Sequence, residues 1–311
     1  MKGVLLVDMG GAKSPRELKL FLKRMFKDPY ILPLGKLGRQ FLSYYISNTR
    51  YRKSWKKYKL IGGSPIMEAT HQTMLALQEK LPEDFKVRYA FSYSTPLIKE
   101  SMDAFMAEGI HEITVLPLYP QGCFSTTKSV EHDVNKVVAK NPQLKIHIIK
   151  EFYQNKDFVD YWSNLILNHA YQHYLDKPLL LFSAHSIPTY LVEKGDTYPA
   201  AIEASAKAIA NHLGFEYEVA YQSGMKRGTW LTPDIDTVLR QLAVKWKDQI
   251  VIIPISFLNE NLETLYDIDH EIVPFGKKFL RFSHISRVAL PVADCLLIKM
   301  FTDLVLSNIS S

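Results

Sequence analysis

The stretch Gly3–Gly11, GVLLVDMGG, decides the fold. A near-continuous apolar run that ends in a glycine pair is typical of a strand buried on both faces of a parallel sheet, followed by a turn. The next residues, Ser14-Pro15-Arg16-Glu17, form a capping box with proline at the first helical position, which predicts the start of a helix. Strand, turn and helix in this order predict an α/β unit.

The same pattern returns in the second half of the chain as LLLFSAHS, residues 179–186. The segments ITVLPLYPQ (113–121) and IVIIPISFLN (250–259) also occupy similar places in the two halves. Apolar runs of this kind predict strands at Gly3–Val7, Val87–Tyr93, Ile113–Leu118, Leu144–Ile149, Leu179–Ser183, Tyr217–Gln222, Ile250–Ser256 and Val288–Leu290.

We therefore expect an α/β protein of two similar, doubly wound, Rossmann-like lobes whose parallel sheets face a central cleft. The predicted division is an N-terminal lobe 1–150, with a C-terminal helix 290–311 packing back on it, and a C-terminal lobe 151–289. Thr232-Pro233 is predicted to open a helix in the second lobe. Its predicted apolar stripe is Ile235, Val238, Leu239, Leu242 and Trp246.

Composition excludes several classes of protein. Apolar residues make up 47% and charged residues 23% of the chain, as in a globular protein. Two distant cysteines, Cys123 and Cys295, offer neither a disulfide framework nor a zinc or iron–sulfur cage. The chain contains no G-x-G-x-x-G and no P-loop motif, which disfavours nucleotide chemistry.

The N-terminus is interpreted as a first strand rather than a signal peptide, and no uncharged apolar run reaches the roughly 18 residues of a membrane span. We therefore expect a cytoplasmic protein. A net charge of +6 favours an anionic partner. The basic stretch Arg50–Lys59, interleaved with aromatic residues, predicts either peripheral contact with the inner membrane face through 30–60 or a solvated helix face.

His185 is the first candidate for chemistry. It directly follows the apolar strand LLLFSA, and a histidine at the carboxyl end of a parallel strand lies where open α/β sheets bind ligands. An imidazole there can accept a proton or ligate a metal. The alternative is a histidine that only satisfies its own hydrogen bonds.

Three carboxylates form the second candidate. Glu263, Asp267 and Glu271 are spaced at i, i+4 and i+8, which places them on one helical face. Like charges at this spacing repel each other unless cations or protons occupy them. The stripe is either a path for a divalent cation or for protons, or a solvated acidic surface.

At these residues the sequence resembles the ferrochelatase family. The resemblance runs through six blocks in order: LLVDMGG (5–11), IGGSPI (61–66), VLPLYPQ with STT (115–127), LLFSAHSIP with EKGDTYP (180–199), YQS with WLTP (221–233) and PISFLNENLETLYDID (254–269). It implies insertion of ferrous iron into protoporphyrin IX, the last step of haem biosynthesis. No organic cofactor, iron–sulfur cluster or nucleic-acid partner is expected, and Fe²⁺ is a substrate.

The resemblance also implies residue roles. His185 and Glu263 are expected at the reacting centre, as catalytic and metal-binding residues, with Asp267 and Glu271 as an acidic relay. The residues expected to bind the porphyrin are Met9, Arg50, Tyr93, Tyr119, Trp230 and Phe257.

The sequence departs from the family pattern near the expected pocket. Asp8 stands where many members have Asn, and Ser92 where an Arg often precedes the pocket Tyr. The usual Ser-Asp-His before the acidic helix is Asn259-Glu260-Asn261, and Gly122-Cys123 replaces a Tyr-Ser pair. These changes remove a His and an Arg from the expected neighbourhood of the porphyrin.

Other functions remain open at this point. A chelatase for coproporphyrin, or one that inserts cobalt into a related ring, shares the same chemistry. PLYPQ followed by STT favours the protoporphyrin type. A non-catalytic porphyrin or haem carrier would bind the ring without metal uptake, and a two-lobed secreted solute receptor would need a signal peptide.

Overall fold

The computed structural model describes residues 1–224 and 228–309. The chain divides into two compact units, which we call the first and the second unit. The first comprises Met1–Glu151 and the segment that begins at Pro291, and the second comprises Phe152–Leu290. Each unit contains one four-stranded sheet in which all strand pairs are parallel. The predicted α/β class with two parallel sheets is confirmed.

The sheet of the first unit has the order β2-β1-β3-β4. Its strands are β1 (Lys2–Asp8), β2 (Phe85–Phe91), β3 (Glu112–Pro117) and β4 (Lys145–Ile148). The central strand β1 is paired on both sides, and Val4–Val7 are fully buried. The apolar run that opens the chain is thus explained by burial on both faces of the sheet.

Helices connect these strands. In the first unit they are α1 (Pro15–Met25), α2 (Lys36–Leu60), α3 (Ile66–Lys80), α4 (Ile98–Ala107) and α5 (Ser129–Val138), and a short π-helix, Phe124–Lys128, precedes α5. The predicted cap of α1 is present, since the Glu17 N–H donates to the Ser14 hydroxyl at 3.2 Å. The Glu17 carboxylate reaches one residue further back than in a standard capping box and accepts from the Lys13 N–H at 2.8 Å.

The second unit repeats the same strand order, β6-β5-β7-β8. Its strands are β5 (Leu179–His185), β6 (Tyr217–Gln222), β7 (Gln249–Ile253) and β8 (His284–Arg287). Its α-helices are α6 (Lys156–Gln172), α7 (Thr189–Glu193), α8 (Tyr198–Leu213), α9 (Ile235–Val244) and α10 (Val273–Phe275). In both sheets the first strand lies between the second and the third, so the predicted duplication is confirmed.

The predicted position of the last strand and the predicted helix start at Thr232-Pro233 are wrong. The last strand is His284–Arg287, not Val288–Leu290. It lies at the edge of the sheet, paired only with β7, and three of its four residues are partly exposed, so it carries no apolar run. Helix α9 begins at Ile235, where the Asp234 carboxylate caps it by accepting from the Thr237 N–H at 3.0 Å.

Trp246 does not join the apolar stripe of α9. The helix ends at Val244, and Trp246 adopts a left-handed backbone conformation with φ 59°. Its side chain is 92% exposed. The other four predicted stripe residues are buried.

The acidic segment forms a π-helix, Glu263–Ile272, rather than the expected α-helix. The Val273 N–H donates to the carbonyl of Ile268, five residues earlier, which defines this wider helix. The short helix α10 and a further π-helix, Gly276–Leu280, continue it. Pro274 lies within this run, and in a regular α-helix its ring would clash with the carbonyl of His270. The proline stands in the first turn of α10, directly after the π-helix, a position at which helices tolerate proline.

The C-terminal segment forms helix α11 (Cys295–Ile309), which packs against α3 of the first unit. Within the described part of the chain, every helix is too short or too polar to serve as a membrane span.

A histidine cluster joins α6 to β8 in the second unit. The Nε2 atoms of His169 and His284 lie 2.7 Å and 2.6 Å from the Ser286 hydroxyl. The His173 ring lies between the other two, with ring centroids 4.4 Å from His169 and 5.1 Å from His284. Burial, then the neighbouring His173, His284 and Arg287, lower the pKa of His169 to about 4.

We predict that the free energy of unfolding falls between pH 6.5 and pH 4 through His169. Its pKa is lower in the folded than in the unfolded chain, so this contribution is complete above pH 6.5 and is lost as the pH falls towards 4. Since the ring is partly exposed, the expected loss is about 1–2 kcal/mol. His169→Gln should flatten urea-unfolding free energies across this range, whereas exposed His111→Gln should not. Equal pH slopes for wild type and His169→Gln would contradict the prediction.

Candidate active site

His185 is the last residue of β5, the strand at the centre of the second sheet. Leu180–Ala184 before it are fully buried, and β6 and β7 pair with β5 on either side. Because every strand of the sheet is parallel, His185 emerges at the carboxyl edge, the edge at which α/β sheets bind ligands. Its side chain is half-buried there.

Two hydrogen bonds hold His185. Its backbone N–H donates to the Ser256 hydroxyl at 3.3 Å. Its Nδ1 lies 2.7 Å from the Ser186 carbonyl oxygen, and because a carbonyl only accepts, Nδ1 must carry the proton of this bond. In the neutral ring Nε2 therefore holds an unprotonated lone pair, which is what a general base or a metal ligand requires.

Gln222 is a neighbour that the sequence reasoning missed. It ends β6 directly opposite His185 in the parallel register and is 3% exposed. The Ser183 hydroxyl donates to its Oε1 at 2.9 Å, and the Ser186 N–H donates to its main-chain oxygen at 2.8 Å. Among the described residues its Nε2 is buried without a hydrogen-bond partner. The sequence feature that could have indicated Gln222 is a polar residue at the carboxyl end of β6, a strand that neighbours β5.

Glu263, Asp267 and Glu271 all lie on the π-helix, and Glu263 is its first residue. Glu263 is half-buried, as is Asp267, whereas Glu271 is exposed. The Ser223 hydroxyl donates to the Asp267 carboxylate at 3.0 Å, and Ser223 directly follows Gln222. This bond ties the acidic stripe to the carboxyl edge of the sheet.

The expected aromatic residues of this unit lie in loops at the same edge. Trp230 forms an isolated bridge with Pro188, three residues after His185. Phe257 directly follows Ser256, the residue that accepts from the His185 N–H. The structure thus brings the Trp230 and Phe257 segments to the chain around His185.

The first unit carries its own group of predicted residues. Met9 follows β1, and Tyr93 and Tyr119 each lie two residues after a neighbouring strand. The Tyr93 N–H donates to the Met9 carbonyl at 3.1 Å, and the Ser92 N–H donates to the Asp8 carbonyl at 2.9 Å. The predicted residues therefore meet at the carboxyl edge of the first sheet.

Both tyrosines are held in their protonated form. Burial, and then the charge of Asp28, raise the pKa of Tyr93 well above its usual value. Burial, and then the charge of Asp8, raise the pKa of Tyr119 in the same way. Each phenol is therefore a hydrogen-bond donor at neutral pH.

Asp28 is a second residue that sequence reasoning missed. Its carboxylate is buried and accepts from the Tyr93 hydroxyl at 2.7 Å, the Tyr30 N–H at 2.8 Å and the Ser129 hydroxyl. Tyr93 is only 3% exposed, so its side chain is closely packed at this edge of the sheet.

Arg50 is the remaining residue predicted to bind the porphyrin. It is exposed within α2. Within residues 1–224 and 228–309, no three or more His, Cys, Asp or Glu side chains are arranged to hold a metal ion.

Comparison with known proteins relates the whole chain to one family. A family model described as Ferrochelatase matches residues 1–309. The ferrochelatase of Aquifex aeolicus is 36% identical over 315 residues, which cover 99% of both chains. That of Rickettsia felis is 36% identical, covering 89% of this chain and 81% of the relative.

Solved structures show the same fold at much lower identity. SirB from Bacillus subtilis with Fe3+ aligns over 99% of this chain and 96% of its own, with a TM-score of 0.62 and 11% identity. CbiX, the terminal enzyme for biosynthesis of sirohaem in denitrifying bacteria, aligns over 98% and 99%, with a TM-score of 0.52 and 11% identity. At this identity the likeness shows the fold alone.

We predict that neutral His185 carries its proton on Nδ1. The bond to the Ser186 carbonyl fixes this tautomer and leaves Nε2 unprotonated. Long-range ¹H–¹⁵N correlation spectra of protein labelled at histidine should show it, with His185→Gln assigning the signals. A neutral His185 with its proton on Nε2 would contradict the prediction.

Proposed function

Since the chain belongs to the ferrochelatase family, it is a metal chelatase, and we propose that it inserts ferrous iron into protoporphyrin IX. The observation that carries the proposal for this chain is the bond that leaves the Nε2 of His185 free to accept a proton at the carboxyl edge of the second sheet. The acidic stripe joined to the same edge through Ser223 supports it.

The reaction requires proton acceptors. Metal insertion removes two pyrrole N–H protons from the ring and replaces water on the metal. In our proposal the Nε2 of His185 accepts the pyrrole protons, and Glu263 orients this histidine and passes the protons on to Asp267 and Glu271. One imidazole with carboxylates is a borderline-hard set of donors, which suits ferrous iron that passes through as a substrate.

The planar ring must also be distorted, because planarity hides the lone pairs of the pyrrole nitrogens. Binding energy from aromatic and apolar contacts can be used for this distortion. We assign these contacts to Met9, Tyr93, Tyr119, Trp230 and Phe257. Arg50, exposed on α2, is assigned to a propionate of the porphyrin, since a guanidinium binds a carboxylate with two parallel hydrogen bonds. The reaction so described needs no organic cofactor and no iron–sulfur cluster.

We predict that His185→Ala lowers the rate of iron insertion by about a hundredfold or more, because general bases contribute about 10²–10⁴ to rates. Anaerobic incubation with ferrous salt and protoporphyrin, followed by the Soret and visible bands, measures the rate. The matched control is His212→Ala, which removes an exposed histidine of α8 in the same unit and should leave the rate unchanged.

The same assay distinguishes the alternatives. Parallel reactions with coproporphyrin and with cobaltous salt give the preference for ring and metal. A porphyrin carrier would bind the ring, seen as a shift of the Soret band, without metal uptake. Near-wild-type iron insertion by His185→Ala would show that the assigned role of this residue is wrong.

We further propose that helix α2 contacts an anionic membrane surface and makes the enzyme peripheral to the membrane. Leu37, Phe41 and Tyr44 recur at helical spacing and are 81%, 75% and 63% exposed. The same helix continues into the basic stretch Arg50–Lys59. Exposed apolar residues on a helix that also carries clustered cations are the features of interfacial binding.

We predict that the chain sediments with vesicles of phosphatidylcholine and phosphatidylglycerol. Leu37→Ser with Phe41→Ser should weaken this binding, because the apolar part of the contact is removed. High salt should weaken it as well, because the basic contribution is screened. Leu167→Ser, at an exposed leucine of α6, is the control. Equal sedimentation of the double variant and the wild type would rule out this surface.

A further inference from the structure

Arg287, the last residue of β8, is a buried cation in the second unit. Its side chain is 5% exposed. Its Nε and Nη2 donate to the two carboxylate oxygens of Asp269 at 2.9 and 2.7 Å, a bidentate pair. Its Nη1 donates to Glu260 at 2.9 Å and to the Val288 carbonyl at 3.1 Å. The guanidinium is thus held at fixed distances from two carboxylates.

These two carboxylates lie on either side of the proposed catalytic acids in the chain. Glu260 precedes Glu263 by three residues, and Asp269 follows Asp267 by two. Arg287 therefore fastens the acidic segment to β8 both before the π-helix begins and within it. Glu263 and Asp267 lie between the two points of attachment.

Glu260 also holds the beginning of the π-helix. Its Oε2 accepts from the Thr264 hydroxyl, and its Oε1 accepts from the Leu290 N–H at 2.9 Å. Asn261 and Thr264 form a reciprocal cap, since the N–H of each donates to the side-chain oxygen of the other at 2.9 Å. Glu263 lies between these bonded residues, so its backbone is fixed from both directions.

Stability alone is a weak explanation for this network. The Arg287 and Glu260 side chains are 5% and 17% exposed, whereas that of Asp269 is 38% exposed. Removing the guanidinium and the Glu260 carboxylate from water costs free energy, and well-packed apolar residues at such places are often equally or more stabilising. What a bidentate ion pair provides is a defined geometry. A catalytic acid gains from this, because a displacement of about 1 Å can lower a rate by about a hundredfold.

We propose that Arg287, together with Glu260 and Asp269, is a positioning group that sets the place of Glu263 and Asp267 on the π-helix. The proposal rests on the proposed function, since it concerns the same reaction. Arg287 itself contacts the carboxylates that hold the helix and acts on the substrate only through the acidic residues.

Arg287→Lys tests the proposal, because lysine keeps the charge but cannot form the two-pronged pair. We expect kcat for iron insertion, per folded molecule, to fall about tenfold or more, with the KM for porphyrin nearly unchanged. Hydrogen exchange of the Glu263–Ile272 amides should become faster. Arg240→Lys is the matched control, since Arg240 is an exposed arginine of the same unit that lies over the Phe275 ring.

A double-mutant cycle with Glu263→Gln separates positioning from stability. Since Arg287 acts partly through Glu263 in this proposal, the double variant should lose clearly less activity than the product of the two single losses. If the two losses multiply, or if Arg287→Lys lowers only the Tm, the proposal is overturned. Glu260→Gln and Asp269→Asn, which keep the side-chain shape, give the same comparison if Arg287→Lys does not fold.

The wild-type rate is measured first, which separates this proposal from the proposed function. A wild type that inserts no metal overturns the proposed function and, with it, this assignment. If the wild type turns over normally but the activity losses of Arg287→Lys and Glu263→Gln multiply in the double variant, only this assignment is overturned.

Discussion

The pairing of parallel strands is the constraint on which both groups of candidate residues depend. Because β5 is bonded on both sides, the end of its apolar run fixes where His185 leaves the sheet, and Gln222 must then lie directly opposite. Ser256, shortly after β7, reaches the same edge. In the first unit the identical strand order places Met9, Tyr93 and Tyr119 at the corresponding edge. The duplication thus gives two sets of candidate side chains, each placed at the carboxyl edge of its sheet by the pairing of parallel strands.

The sequence predicts what burial dictates and misses what pairing and hydrogen bonding decide. The central strands are found because both faces are covered, so nearly every residue is apolar. The edge strand His284–Arg287 has no such run and is misplaced by four residues. A spacing of i and i+4 brings carboxylates together in either kind of helix, so the shared face of Glu263 and Asp267 is predictable while the π-helix is not. The tautomer of His185 depends on a carbonyl whose direction only the folded loop fixes.

The wider helix changes what the acidic stripe presents. In an α-helix a residue four positions on lies about 40° beyond one full turn, whereas a helix with i to i+5 bonds has more residues per turn, so the same step falls short. Successive carboxylates of the stripe are therefore displaced around the π-helix axis in the opposite direction from those in an α-helix. Carboxylates in such a row repel each other. In our proposal a passing divalent cation or proton relieves this repulsion as it moves along the row.

Two residues that depart from the family pattern lie just before the π-helix Glu263–Ile272. Where the family pattern usually has an Asp-His pair, this chain has Glu260 and Asn261. The amide of Asn261 has no titratable group, and it caps Thr264 instead. The oxygens of Glu260 are already engaged by Arg287, the Leu290 N–H and the Thr264 hydroxyl. Both residues are thus bonded into the start of the helix. In our proposal His185, Glu263, Asp267 and Glu271 transfer the protons, while Glu260 and Asn261 hold Glu263 in place.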